Sequence, residues 1–77
     1  LKINILAFGQ IAEIAGSTEW ESQDIENADN LRIYLEGNYP QLKSVKYSIA
    51  VNRRLIHGNE KFNDNDTVAL LPPFSGG

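Results

Sequence analysis

Cysteine and methionine are both absent from the 77 residues, and histidine and tryptophan occur once each. Without cysteine there can be no disulfide framework, thiolate metal site, iron–sulfur cluster or thiol nucleophile. A single histidine, His57, leaves no histidine-based metal site and no Ser-His-Asp triad; beside Gly58 it reads as an exposed residue entering a loop. Positive charge is scarce as well. Seven Lys and Arg against ten Asp and Glu give a net charge of −3, and phosphate binding needs clustered cations that release counterions. Arg53-Arg54 is the only adjacent basic pair. Between two short apolar runs it reads as a hairpin turn, or else as a contact for an acidic partner. No apolar stretch approaches the ~20 residues that cross a bilayer, and no signal-peptide pattern is present. The expectation is a soluble, cytoplasmic chain without nucleic-acid or membrane partners. Because it opens at Leu1 rather than Met, one or more preceding residues are read as missing.

What is there is enough for one modest core: 42% of residues are hydrophobic, and a chain this short folds as one domain near the lower limit of independent stability. Ile3, Ile5 and Ala7 alternate with Lys2, Asn4 and Leu6, which predicts a strand ending near Phe8-Gly9. Residues 10–15 read as a helical turn with Ile11 and Ile14 on one face, stopped by Gly16. Residues 18–23 form a second strand with Trp20 as inward anchor. From Asn27 the period changes. Ala28, Leu31, Leu35 and Asn38 or Tyr39 share one face of a helix capped by Asn27 and ended by Pro40, with Ile33 turned outward. Strands follow at 47–52 and 55–57, then a long polar loop. Asp64-Asn65-Asp66 is a turn, since Asn and Asp tolerate left-handed backbone, and 67–71 is the last strand. The expected fold class is α+β, a mixed sheet of four to five strands packed on one main helix. A β-grasp (ubiquitin-like) arrangement fits this order, with the first and last strands parallel neighbours.

The chain closes on Pro72-Pro73-Phe74-Ser75-Gly76-Gly77, directly after the apolar run 68–71. Two terminal glycines arise by chance in roughly one chain in two hundred, and a frayed end is the plain reading. Placement argues for more. The prolines fix φ and extend the residues before them, so residues 72–77 form a short stalk projecting from a globular body of residues 1–71. The glycines have no side chain to obstruct entry into a narrow site of another protein.

The runs Ile5-Leu6-Ala7-Phe8-Gly9-Gln10-Ile11-Ala12-Glu13-Ile14-Ala15-Gly16, Ala50-Val51-Asn52 and 63–77 resemble the small subunit of molybdopterin synthase, a β-grasp sulfur-carrier family, over nearly the whole chain. The resemblance implies a cycle centred on the C-terminal carboxylate, here that of Gly77. An E1-like adenylating enzyme spends ATP to attach AMP. Sulfur from a donor protein then replaces AMP to leave a thiocarboxylate. Inside the large synthase subunit that sulfur passes to a cyclic pterin precursor, two deliveries building one dithiolene. No cofactor is bound by the carrier, and the catalytic side chains belong to its partners. Two departures stand out: Ala12 occupies a position often basic in the family, and Asn65 replaces the usual glycine of the aspartate turn.

Strand alternation suggests where a partner docks. With Ile3, Ile5 and Ala7 facing the core, Leu6 and Phe8 face the opposite side, and in the last strand Val68 and Leu70 point in while Leu71 points out. If these strands are neighbours, Phe8 and Leu71 form one apolar patch at the root of the tail; otherwise Phe8 simply caps the core edge. Alternatives are a thiamine-pathway sulfur carrier or a ubiquitin-related modifier with the same ending, and a non-covalent β-grasp binding module. The Pro72-Pro73 pair favours the molybdopterin carrier over the thiamine one.

Overall fold

A computed structural model describes residues 1–73. Its elements run β1 (Lys2–Ala7), α1 (Gly9–Ala15), β2 (Glu19–Gln23), α2 (Ala28–Asn38), a 3-10 turn (Pro40–Ser44), β3 (Ser48–Val51), β4 (Arg54–Ile56) and β5 (Asp66–Leu71). The five strands form one sheet in the order β2-β1-β5-β3-β4. At its centre β1 and β5 are parallel, with Ile5 opposite Val68 and Ala7 opposite Leu70; the other pairings are antiparallel. This is the expected mixed sheet, with α1 and the 3-10 turn added to the main helix.

Period-2 alternation assigns the two faces. Ile3, Ile5 and Ala7 of β1 and Val68 and Leu70 of β5 are buried, and they pack with Ile49, Val51 and Ile56 against Ala28, Leu31 and Leu35 of α2. Burying each of the Ile, Val and Leu side chains among them stabilises the fold by about 1.5–3 kcal/mol. The helix starts where Asn27 Oδ1 accepts the Asn30 N–H at 2.8 Å, satisfying one of the donors that a helix N-terminus leaves unpaired. It stops at Tyr39 because Pro40 cannot continue the ladder. Pro40 instead opens the 3-10 turn, which buries Leu42, a core residue with no periodic partner in the sequence. Ile25 and Phe62 are buried as well. Phe62 lies in the stretch read as a polar loop; its N–H donates to the Glu26 carbonyl at 2.8 Å, and the adjacent Lys61 bridges to Asn27.

Trp20 faces inward as expected but is only half-buried. Its Nε1–H donates to the Tyr34 hydroxyl at 3.2 Å, and its ring meets Tyr39 edge-on at 6.2 Å. The buried residue of β2 is Ser22. Gly16, with φ 76°, ends α1 as expected, and Asn65, with φ 69°, takes the left-handed conformation that a glycine would adopt. The turn between β3 and β4 lies one residue earlier than the sequence suggested. Asn52 and Arg53 are its two central residues, and Arg54 already pairs with Val51 as the first residue of β4.

Candidate functional site

All helices pack on one side of the sheet, so among the described residues nothing covers the other side. That face is built by register. Leu6 lies opposite Ala69, Ala69 opposite Ala50, and Ala50 opposite Leu55, which sets one apolar row across four strands. The next row toward the C-terminus holds Phe8, just beyond β1, beside Leu71. Phe8 is 46% exposed and Leu55 47% exposed; Leu6, Ala69 and Leu71 are half-buried. A depression of about 520 Å³ gathers Leu6, Phe8, Ala50, Ala69 and Leu71 with Asn52, Arg53 and Thr67. The expected Phe8–Leu71 patch therefore exists, because β1 and β5 are neighbours. It is wider than two residues: alternation within β3 would have turned Ala50 outward, whereas the pairing of Ala50 with Leu55 follows only from the tight turn.

Charge is divided across this face. On the β2 side stand Glu19, opposite Leu6, and Glu21, opposite Asn4, with Lys2 Nζ 3.6 Å from the Glu21 carboxylate. On the opposite side is Arg53. The Arg53-Arg54 pair thus separates into two roles, since Arg54 donates to Glu60 through its two terminal guanidinium nitrogens, Nη2 at 2.7 Å and Nη1 at 3.4 Å.

The turn bearing Arg53 is clamped to β5. Asn52 Nδ2–H donates to Asp66 Oδ1 at 2.9 Å, while Asn52 Oδ1 accepts the Thr67 N–H at 2.9 Å. The other Asp66 oxygen accepts the Asn63 N–H at 2.7 Å. Asp66 is buried with both oxygens satisfied, as a buried carboxylate must be.

The chain leaves β5 at Leu71, and Pro72 is half-buried. It seats on Gly9, where an added β-carbon would meet Pro72 Cγ at 3.3 Å. Gly9 also has φ +55°, so both space and backbone conformation call for glycine. Pro73 is exposed. Phe74, Ser75, Gly76 and Gly77 lie outside the described residues. Ala12 is half-buried on α1, and His57 is exposed after β4, as read from the sequence.

This topology, with a bare sheet face at the root of the closing segment, can be compared with known proteins. Residues 5–77 match the ThiS family. The chain belongs to that family. A curated relative from Mycobacterium tuberculosis, named molybdopterin synthase sulfur carrier subunit, is 30% identical over 82 residues, covering 100% of this chain and 99% of its own. Among solved structures, a Helicobacter pylori complex of subunits 1 and 2 of molybdopterin-converting factor aligns at 27% identity and TM-score 0.73, with 100% of both chains covered. Small archaeal modifier protein 1 from Methanosarcina acetivorans aligns at 25% identity and TM-score 0.82, covering 99% of this chain and 96% of that one. The β-grasp fold and the sulfur-carrier reading of this ThiS-family chain are thereby borne out. No described helix is long and apolar enough to cross a membrane.

Proposed function

We propose that this chain carries sulfur as a thiocarboxylate on Gly77 and delivers it within the large subunit of a molybdopterin synthase, which grips the bare sheet face. The observation that carries this reading is the coincidence of two features at one end of the sheet. The apolar depression ends at Phe8 and Leu71, and Pro72, held on Gly9, starts the closing segment beside it. A partner bound on that face meets the chain where its closing segment begins, at Pro72 and Pro73.

The chemistry follows from the leaving groups. A carboxylate resists substitution because oxide would have to leave. When the Gly77 carboxylate attacks the α-phosphate of ATP on the activating enzyme, pyrophosphate departs and an acyl adenylate forms, whose leaving group is AMP. Sulfur supplied by a donor protein at the sulfide level displaces AMP and leaves the thiocarboxylate, a soft nucleophile. Its sulfur bonds to a carbon of the pterin precursor, and water then cleaves the acyl–sulfur bond, leaving the sulfur on the precursor and restoring the Gly77 carboxylate. Every general acid, base and nucleotide contact in this scheme belongs to a partner, and this chain supplies the carboxylate and its placement.

The test is the intact mass of the chain after incubation with ATP, the activating enzyme and a sulfur source. A gain equal to one oxygen replaced by one sulfur, lost on mixing with the large subunit and precursor, supports the proposal. An unchanged mass with a matched activating enzyme refutes it, as does undiminished pathway support from a chain lacking Gly77.

A further inference from the structure

The β3–β4 turn is built on two residues with left-handed backbone, Asn52 at φ 49° and Arg53 at φ 72°. Positive φ at both central positions is the type I′ form of the two-residue hairpin, and Asn-Gly is the sequence that meets this without strain. Asn52 satisfies the first position and adds the clamp to Asp66 and Thr67. Arg53 satisfies nothing local: a side chain at φ 72° carries a conformational penalty that glycine would avoid. Among the described residues its guanidinium enters none of the four ion pairs, whereas its neighbour Arg54 is held by Glu60. Strained backbone that the surroundings hold in place tends to mark sites where a side chain acts on something outside the local structure.

Its location says what that would be. Arg53 lines the depression together with Leu6, Phe8 and Leu71, in a chain of net charge −3, and the acids of that face stand on β2 at the far side. We propose that Arg53 is the specificity-determining cation of the docking face, pairing with a carboxylate that the large subunit presents beside the apolar side chain entering the depression. This rests on the docking reading above. The pair sets the rotational register of the carrier: an apolar patch alone allows several orientations, and a cation on one flank with Glu19 on the other makes all but one electrostatically unfavourable. In the correct orientation the Gly9–Pro72 end of the sheet meets the entrance that takes residues 73–77.

The experiment titrates the full chain against the cognate large subunit at low and physiological salt and follows thermal unfolding of each variant alone. Arg53→Gln should weaken binding about tenfold with a flatter salt dependence, because an attractive charge pair is lost, and Arg53→Glu should weaken it considerably more at low salt, with added salt restoring part of the loss by screening the new repulsion. Arg53→Gly is the sharper variant: it should raise the melting temperature by relieving the left-handed strain while lowering affinity as much as Arg53→Gln. Arg54→Gln should bind as the unaltered chain does. Arg53 variants that bind normally while Phe8→Ala weakens binding overturn the role of Arg53 and leave the docking face standing. If Phe8→Ala also binds normally, the docking reading itself fails. An Arg53→Gly protein that is less stable than the parent shows Arg53 to be structural and overturns the inference.

Discussion

Pro72 packs over the backbone of Gly9, so closely that a β-carbon on residue 9 would stand 3.3 Å from Pro72 Cγ and 3.7 Å from its Cβ. The contact links the first residue of α1 to the first residue after β5, and it directs how the chain departs from the sheet. Gly9→Val should cost about 1–2 kcal/mol from positive φ alone and should push Pro72 off its seat. The expected result is a lowered melting temperature together with slower sulfur release from pre-loaded carrier in the synthase. Unchanged transfer in a folded variant would show that the seat does not aim the tail.

Phe8 and Leu71 offer a different handle, because they face away from the core. Phe8→Ala should weaken association with the large subunit by up to about 1.5–3 kcal/mol, the value of burying a side chain of that class, with little change in the unfolding midpoint. Leu71, already half-buried, should cost less. Loss of the fold in Phe8→Ala would mean that its ring supports the core edge after all.

The Asn52 clamp makes a stability prediction. Removing its side chain takes the 2.9 Å partners from the Thr67 N–H, whose bond is exposed, and from one oxygen of buried Asp66, and leaving a buried group unsatisfied costs about 1–3 kcal/mol. Asn52→Ala should therefore lower the urea midpoint. Asn52→Gly, which restores the freedom needed at φ 49° but not the hydrogen bonds, should recover only part of the loss. Full recovery by glycine would assign the effect to backbone conformation alone.

Tyr47 gives the chain an alkaline signature. Burial first, then the neighbouring Glu36 carboxylate, which accepts its hydroxyl hydrogen bond at 3.2 Å, push its pKa from 10.0 to about 12, with Arg32 opposing. The folded state holds the phenol proton more tightly than the unfolded chain does. Its stabilising effect is therefore complete below pH 10 and is lost as the pH rises from 10 toward 12. Urea midpoints measured across that window should fall more steeply for the parent than for Tyr47→Phe, and parallel profiles would place the titration elsewhere.

Much of the fold was legible from residue order. Alternation in 2–7 and 67–71 reflects two strands with one buried face each, and the change of period at Asn27, bounded by an Asn cap and Pro40, reflects a helix with one buried stripe. Leu42, Ile25 and Phe62 were not legible, because each buries its side chain from a segment too short or too polar to show a period. The bare sheet face was half legible. Leu6, Phe8, Leu71 and the outward side of Ala50 follow from strand phase, but Leu55 joins them only through pairing across a turn, and register is a property of two strands rather than one.

The sequence by itself determined which side chains of each strand face inward and where the main helix starts and stops, and it singled out the closing glycines as the place for the proposed chemistry. Tertiary structure alone decided the rest. Parallel pairing of β1 with β5 sets Phe8 beside Leu71, the seat of Pro72 depends on a gap left by a residue 63 positions earlier in the chain, and Arg53 parts company with Arg54 because the hairpin turns between them. Each of these is a contact between segments distant in sequence or a choice of register, and local propensity carries no information about either.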